Sequence, residues 1–240
     1  MTQGYEKITV KADRGQPIDG MKVFCVIPAW NEGKNLASVL EQVKPLVSRI
    51  VVVDDGSSDD TYSVAQFAGV DVLKHIINRG QGAALRTGTE YALISGAGVI
   101  VHFDADGQFL AEEISRIVSP IITAEADIVF GSRFLGIDSD IPRLKKMAIM
   151  PLARLVNRIF LKIKTTDPQS GFRAFSRMSA EIIKWQQDDM AHCSEIISEA
   201  CKSGLTVKEV PMTVIYRHFG SGLKRGFKIL KDLFITRLTN

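Results

Sequence analysis

Val99-Ile100-Val101-His102-Phe103-Asp104-Ala105-Asp106-Gly107-Gln108 decides the fold, because an apolar run ends abruptly in two carboxylates one residue apart. An uninterrupted apolar run is what a strand buried on both faces requires, and charge at its end predicts a stop at a polar edge. In an open α/β sheet, ligands bind outside the carboxyl ends of the strands. Two acidic oxygen donors in a turn there suit Mg2+ or Mn2+ holding a pyrophosphate. Asp104 and Asp106 are therefore the first candidates for metal ligands. An isolated D-x-D is also what a solvated turn capping the next helix looks like, so its surroundings have to decide.

Outward from this stretch, strands and helices alternate. Upstream, Lys22 to Ile27 reads as a buried strand closed by Pro28. Asn31-Glu32-Gly33 follows, and then Leu36, Val39, Leu40 and Val43 form the stripe of an amphipathic helix ending near Pro45. Arg49 to Val53 is a second strand, ending in Asp54-Asp55 before the turn Gly56-Ser57-Ser58-Asp59-Asp60-Thr61. A short helix around Val64, Ala65 and Ala68 leads to a strand at Asp71 to Lys74, and Asn78-Arg79-Gly80-Gln81-Gly82 opens a helix running to about Ser95. Gly80 and Gly82 either let backbone approach a phosphate or let the helix pack closely.

Downstream, Ile114, Ile117, Val118 and Ile121 mark a helix, and Asp127 to Phe130 a strand closing on Gly131-Ser132-Arg133. The pattern predicts an α/β fold, a mostly parallel sheet with helices on both faces and loops converging on one edge. Further strands are expected at Phe172 to Phe175, Thr206 to Pro211 and Met212 to Arg217, with a helix carrying Glu195 between the first two.

A chain of 240 residues with 45% hydrophobic content supports one large domain with a substantial core. No stretch approaches the roughly 18 apolar residues of a spanning helix, and residues 1–20 are polar, so a flexible arm and a cytoplasmic location are expected. Cys25, Cys193 and Cys201 lack C-x-x-C spacing and fit reduced thiols; His75, His102, His192 and His218 have no metal spacing and read as structural.

The net charge of +3 is uneven. Between Ile141 and Thr166 lie seven basic residues (Arg143, Lys145, Lys146, Arg154, Arg158, Lys162, Lys164) and no acidic one, so the rest of the chain is net acidic. An apolar stripe including Leu144, Leu152, Leu155, Ile159 and Ile163 interleaves with that charge. Such an element either lies in an interface beside anionic head groups or packs on the core with a solvated basic face. Residues 223–240 read as a second basic amphipathic helix, built on Leu223, Phe227, Leu230 and Phe234, and residues 21–222 as the main domain. An anionic membrane surface is the expected partner, and nucleic acid is not.

Five segments in order carry a resemblance: Ile27-Pro28-Ala29-Trp30-Asn31-Glu32, Val53 to Asp59, Asn78 to Gly82, Asp104 to Gln108, and Gly131-Ser132-Arg133. Together they resemble family 2 glycosyltransferases of the Rossmann-like GT-A fold. Asp167-Pro168-Gln169-Ser170-Gly171-Phe172-Arg173, the Glu195 helix and Glu209-Val210-Pro211 are similar to the branch of dolichyl- and polyprenyl-phosphate sugar synthases. The resemblance implies an inverting transfer from a UDP- or GDP-sugar to a polyprenyl phosphate, with the protein peripheral on the cytoplasmic face of a membrane.

It also implies roles. Pro28, Asn31 and Glu32 line the nucleoside pocket, Asp55 or Asp54 contacts base or ribose, and Asp104 and Asp106 hold Mg2+ or Mn2+ on the diphosphate. Gln108 assists coordination or faces the sugar, Gly82 lies in the donor site, and Arg133 and Arg173 meet phosphate. Arg217 and Lys224 belong to a loop closing over the diphosphate, although Gly222-Leu223-Lys224 departs from the Ser-Lys that relatives often carry there. Glu195 is a catalytic base or merely offsets a helix dipole. A phosphate acceptor is already ionised near neutral pH and needs no base. Three other activities fit the same edge: transfer to a soluble saccharide or polymer, nucleotidyl transfer, and nucleotide-sugar binding without turnover.

Overall fold

The computed structural model describes residues 20–135 and 165–215. Arg217, Lys224, the expected helix at 223–240, the arm at 1–19 and the basic residues 143–164 lie outside the described residues. The described chain runs β1 (Val23–Ala29), α1 (Gly33–Val43), β2 (Arg49–Asp54), α2 (Thr61–Phe67), β3 (Asp71–Lys74), α3 (Gln81–Ile94), β4 (Val99–His102), α4 (Ile114–Ile122), β5 (Ile128–Ser132), β6 (Arg173–Ser176), α5 (Arg177–Ile182), α6 (His192–Lys202) and β7 (Val207–Pro211). No described helix is long and apolar enough to cross a membrane.

The strands form one sheet in the order β3-β2-β1-β4-β6-β5-β7. β1 pairs in parallel with β2 and β4, β2 with β3, and β5 with β7; β6 alone is antiparallel, inserted between β4 and β5. The mixed α/β architecture and mostly parallel sheet are as the alternation predicts. The chain steps outward from β1 to β3, then crosses back through α3 to lay β4 on the other side of β1. That reversal opens a crevice beyond the carboxyl ends of β1 and β4, where open α/β sheets bind ligands.

The central strands β1, β2, β4 and β5 are largely apolar because both faces are covered. Cys25, Ile27, Val52, Val99 and Val101 project into a core shared with α1 and α4. Their neighbours Phe24, Val26, Val51, Val53 and Ile100 project into a second core with α3 and α6. Leu36, Val39, Leu40 and Val43 bury the stripe of α1 as its spacing requires.

Two expectations fail. Met212 to Ile215 do not continue as a strand: Pro211 ends β7, and Val214 makes only an isolated bridge to Phe109. Glu113 takes the Thr213 amide and hydroxyl, and Ile215 N donates to the Gln108 carbonyl, so the chain turns onto the D-x-D loop instead of along the sheet. The short α5 was not anticipated; its signal is Ser176, whose side chain accepts from Ser179 N as an N-cap.

Gly88 sets the separation of α3 from the sheet. A methyl group there would lie 2.3 Å from Val26 Cγ1, far inside ordinary carbon contact. Gly88→Ala gains about 1 kcal/mol of helix propensity but overpacks a buried face at a cost of about 1–3 kcal/mol. We expect a net loss of about 1 kcal/mol in urea unfolding; stabilisation would show that the contact relaxes freely.

Candidate active site

Because β1 to β5 run parallel, the loops after Ala29, Asp54, Lys74, His102 and Ser132 all leave the sheet at one edge. β6 starts at this edge and β7 ends there, which brings segments 165–172 and 212–215 to it as well.

The D-x-D loop lies beside the reversal point. Gln81 Nε2, at the start of α3, donates to Asp104 Oδ1 at 2.7 Å, and Asp106 Oδ1 accepts from Gln108 N at 3.0 Å. Gly171 closes the far side of Asp104, where a methyl group would come within 2.9 Å of Oδ2. Burial, and then the charge of Asp106, push the Asp104 carboxyl up to about 7. Among the described residues no cluster of three or more His, Cys, Asp or Glu side chains could hold a metal. The donor set is thus two carboxylates. That is too few for a self-sufficient cage and suits Mg2+ or Mn2+, which complete their shells with water and substrate phosphate.

The other acids at this edge hold backbone. Asp55 is buried; its Oδ1 accepts from His75 Nδ1 (2.6 Å) and Arg79 N (3.0 Å), and its Oδ2 from Gly80 N (2.7 Å). Asp54 Oδ1 accepts from Ser57 N. Asn31 adopts a left-handed φ of 56°, donates from its amide to Ser57 Oγ and accepts Ser58 N on Oδ1. Glu32 accepts from Asn35 Nδ2, and its amide donates to Thr61 Oγ1. Pro28 lies within β1, opposite Val53 of β2. These residues lie at one edge of the sheet, where the side chains of Asp55 and Asn31 join three loops.

Four of the expected site residues have protein partners. The Gly82 amide donates to the Asp188 carbonyl at 2.6 Å, and a methyl group there would strike the Gln187 carbonyl oxygen at 2.3 Å. Gly82 is small so that loop 185–189 can seat on α3, and its amide is not open to phosphate. Arg173 is fully buried, its Nη2 3.2 Å from both His192 Nε2 and Cys193 Sγ, so it lies beneath the site and does not line it. Glu195 Oε2 accepts the amides of Gln186 and Gln187, both at 2.9 Å, securing the loop that caps α3. Arg133 forks onto buried Asp167 through Nε (2.6 Å) and Nη2 (2.7 Å), so that face of its guanidinium is committed to protein.

Several residues that matter here carry no assigned role at the site in the sequence analysis. Gln81 touches Asp104 directly, and its signal is a long amide at the first position of a helix opening at the edge. Glu209 accepts the amides of Thr166 and Asp167, which sets the partner of Arg133. His102 is buried against Phe175 with Nε2 on Thr89 Oγ1, and burial, followed by the nearby Arg173 and His192, holds its imidazole well below the usual range. Burial pushes the Cys193 thiol up, but the charges of His192 and Arg173 outweigh it and bring the thiol down to about 6.

Residues 24–183 match the sequence profile of glycosyl transferase family 2. A UDP-N-acetylglucosamine–dolichyl-phosphate N-acetylglucosaminyltransferase of Methanococcus voltae is 32% identical, the match covering 90% of this chain and 96% of that protein. A polyprenol monophosphomannose synthase of Mycolicibacterium smegmatis is 31% identical over 89% of this chain and 84% of that one. The crystal structure of glucosyl-3-phosphoglycerate synthase from Mycobacterium tuberculosis with Mn2+, UDP-glucose and phosphoglyceric acid superposes with a TM-score of 0.70, covering 92% of this chain and 79% of that chain at 23% identity. At that identity it establishes the shared fold.

The three contacts on Asp55 make a measurable claim. Asp55→Asn keeps the shape but presents an amide to donors that need oxygen, at a cost of about 2 kcal/mol. Hydrogen exchange at the Arg79 and Gly80 amides should accelerate while α1 and β1 stay protected; unchanged protection would mean that the loop is held by other contacts.

Proposed function

The chain belongs to glycosyl transferase family 2, and we propose that it is an inverting, metal-dependent enzyme moving a sugar from a nucleotide diphosphate to a polyprenyl phosphate at a membrane surface. The observation that carries the reading is the Asp104–Asp106 pair at the reversal point of the sheet, an anionic pair whose mutual repulsion a divalent cation would relieve. Asp104 and Asp106 would hold Mg2+ or Mn2+, with Gln108 in the same loop. When bound, the ion stabilises the negative charge that develops on the departing diphosphate.

The chain's own residues position the reactants. Gln81 and Gly171 fix one carboxylate, Asp55 and Asn31 join the loops that would form the nucleoside wall, and Asp167 orients Arg133 toward the edge. Arg217 and Lys224 keep their proposed place in a loop over the diphosphate. A phosphate acceptor attacks without surrendering a proton, which agrees with Glu195 being occupied by backbone amides.

The acceptor reading is supported by the relatives at 32% and 31% identity, both named for transfer to, or synthesis of, lipid-linked sugars. Connectivity adds to it. The chain leaves the sheet at this edge after β5 and returns to it at β6, and in the sequence the basic stretch between Ile141 and Thr166 falls between these strands. Seven positive charges without an acidic one favour an anionic surface.

Incubating the protein with UDP- and GDP-sugars, Mn2+ and a polyprenyl phosphate tests the reading directly. Expected are a glycosyl phospholipid of inverted anomeric configuration, free nucleoside diphosphate, and loss of both in EDTA, in Asp104→Asn and in Asp106→Asn. Full turnover in EDTA would remove the metal, and a new nucleotide bond would make the protein a nucleotidyltransferase.

The Asp104 carboxyl also predicts a pH dependence. Its folded value near 7 lies above the ordinary 3.8, so the folded state binds a proton that the unfolded chain releases between these values. Stability of the metal-free protein should fall as pH rises through that window, and Asp104→Asn should flatten the fall. Mn2+ needs the ionised carboxylate, so its affinity should rise about tenfold per pH unit below that value and level off above it. Titration calorimetry checks both limbs.

A further inference from the structure

Loop 75–80, between β3 and α3, presents Ile76 at 97% and Ile77 at 68% exposure. These side chains are not exposed because the loop is loose. Asp55 takes His75, Arg79 and Gly80 by three hydrogen bonds, and His75 N donates to the Asp54 carbonyl at 2.9 Å. Gly56, at a φ of +71°, rides against Ile77 so closely that a methyl group would lie 2.6 Å from its carbonyl carbon. A rigid backbone therefore holds two branched apolar side chains in water.

The chemistry around them has a direction. Lys74 and Arg79 flank the pair and are exposed. Lys74 is partly compensated, lying over the Tyr62 ring at 4.7 Å and 3.7 Å from Asp54. Arg79 uses its backbone amide on Asp55, and its guanidinium forms no ion pair among the described residues. Phe67 and Ile94, also exposed, end α2 and α3 at the opposite edge. Ile76 and Ile77 lie at the ligand edge, and the four residues from Ile77 to Gln81, the side chain on Asp104, span at most about 14 Å.

We propose that this loop is a membrane wedge, in which Ile76 and Ile77 enter the acyl boundary of an anionic bilayer while Arg79 and Lys74 lie against its lipid phosphates. Paired apolar and cationic groups at one tip match the layered chemistry of that surface. The proposal rests on the reading above in taking a membrane-held acceptor as the substrate, and it places the carboxylate pair within reach of the head groups.

The full chain carrying Ile77→Trp tests it, against the wild type with its native Trp30 and Trp185 as background. With vesicles of phosphatidylglycerol and phosphatidylcholine, the added emission should shift to the blue and be quenched by bromine-labelled acyl chains. Ile76→Ser combined with Ile77→Ser should bind these vesicles at least tenfold more weakly, with kcat on a short water-soluble prenyl phosphate unchanged. Unshifted Ile77→Trp emission on vesicles that the protein binds would overturn the wedge. So would loss of turnover on the soluble acceptor, which would assign the loop to the donor site, or a change only in self-association, which would assign it to a second copy. If the wild type fails to glycosylate any polyprenyl phosphate, the acceptor reading falls, and the fluorescence still decides the wedge.

Discussion

Asp104 and Asp106 repel each other in a loop that burial has partly stripped of water, and the organisation of the edge follows from tolerating that repulsion. A lone carboxylate at a solvated turn costs little, but two in a low-dielectric crevice raise each other's proton affinity. Gln81 offers Asp104 one hydrogen bond, Gln108 N offers one to Asp106, and Gly171 supplies space. These contacts fix where the two carboxylates sit.

The neighbouring acids look the same in sequence and do a different job. Asp55, Asp59, Glu113 and Glu209 each accept backbone amides from loops distant in sequence, and Glu195 accepts two from the loop just before its helix. Loops leaving a parallel sheet bury amides that have no ladder partner, and a carboxylate with two acceptor oxygens satisfies several at once. Asp59 illustrates the consequence: the Thr61 hydroxyl and nearby amides hold its carboxyl below the usual range. Much of the acidity of this edge therefore serves to hold backbone.

This division explains what the sequence discloses. The α/β alternation, the order of strands through β5 and the delivery of D-x-D to a strand end are local properties, written in apolar runs and helical stripes. The antiparallel insertion of β6 is not local, because Phe172 to Phe175 is equally apolar in either direction and only the long connection before it sets the sense. Gly82 and Glu195 were legible as unusual residues but not as partners, since what they touch lies in loop 185–189, about a hundred residues from the glycine and only a few from the glutamate. Met212 to Ile215 alternates like a strand, yet Glu113 outcompetes the sheet for Thr213.

Arg173 shows how a residue can belong to a site without reaching it. A guanidinium cannot shed its proton, so a fully buried one needs negative charge nearby. Among the described residues its partners are the Gly171 carbonyl, His192 and the Cys193 thiol, and its Nη1 has no hydrogen-bond partner. His192 Nδ1 lies 2.8 Å from the Asp189 carbonyl oxygen, and its Nε2 lies 3.2 Å from Arg173 Nη2. The charges of His192 and Arg173 draw the Cys193 thiol down, and Arg173 lowers the proton affinity of Asp104 across Gly171 against burial and Asp106. The buried cation thus acts on Asp104 from beneath the sheet edge, opposing burial and the charge of Asp106.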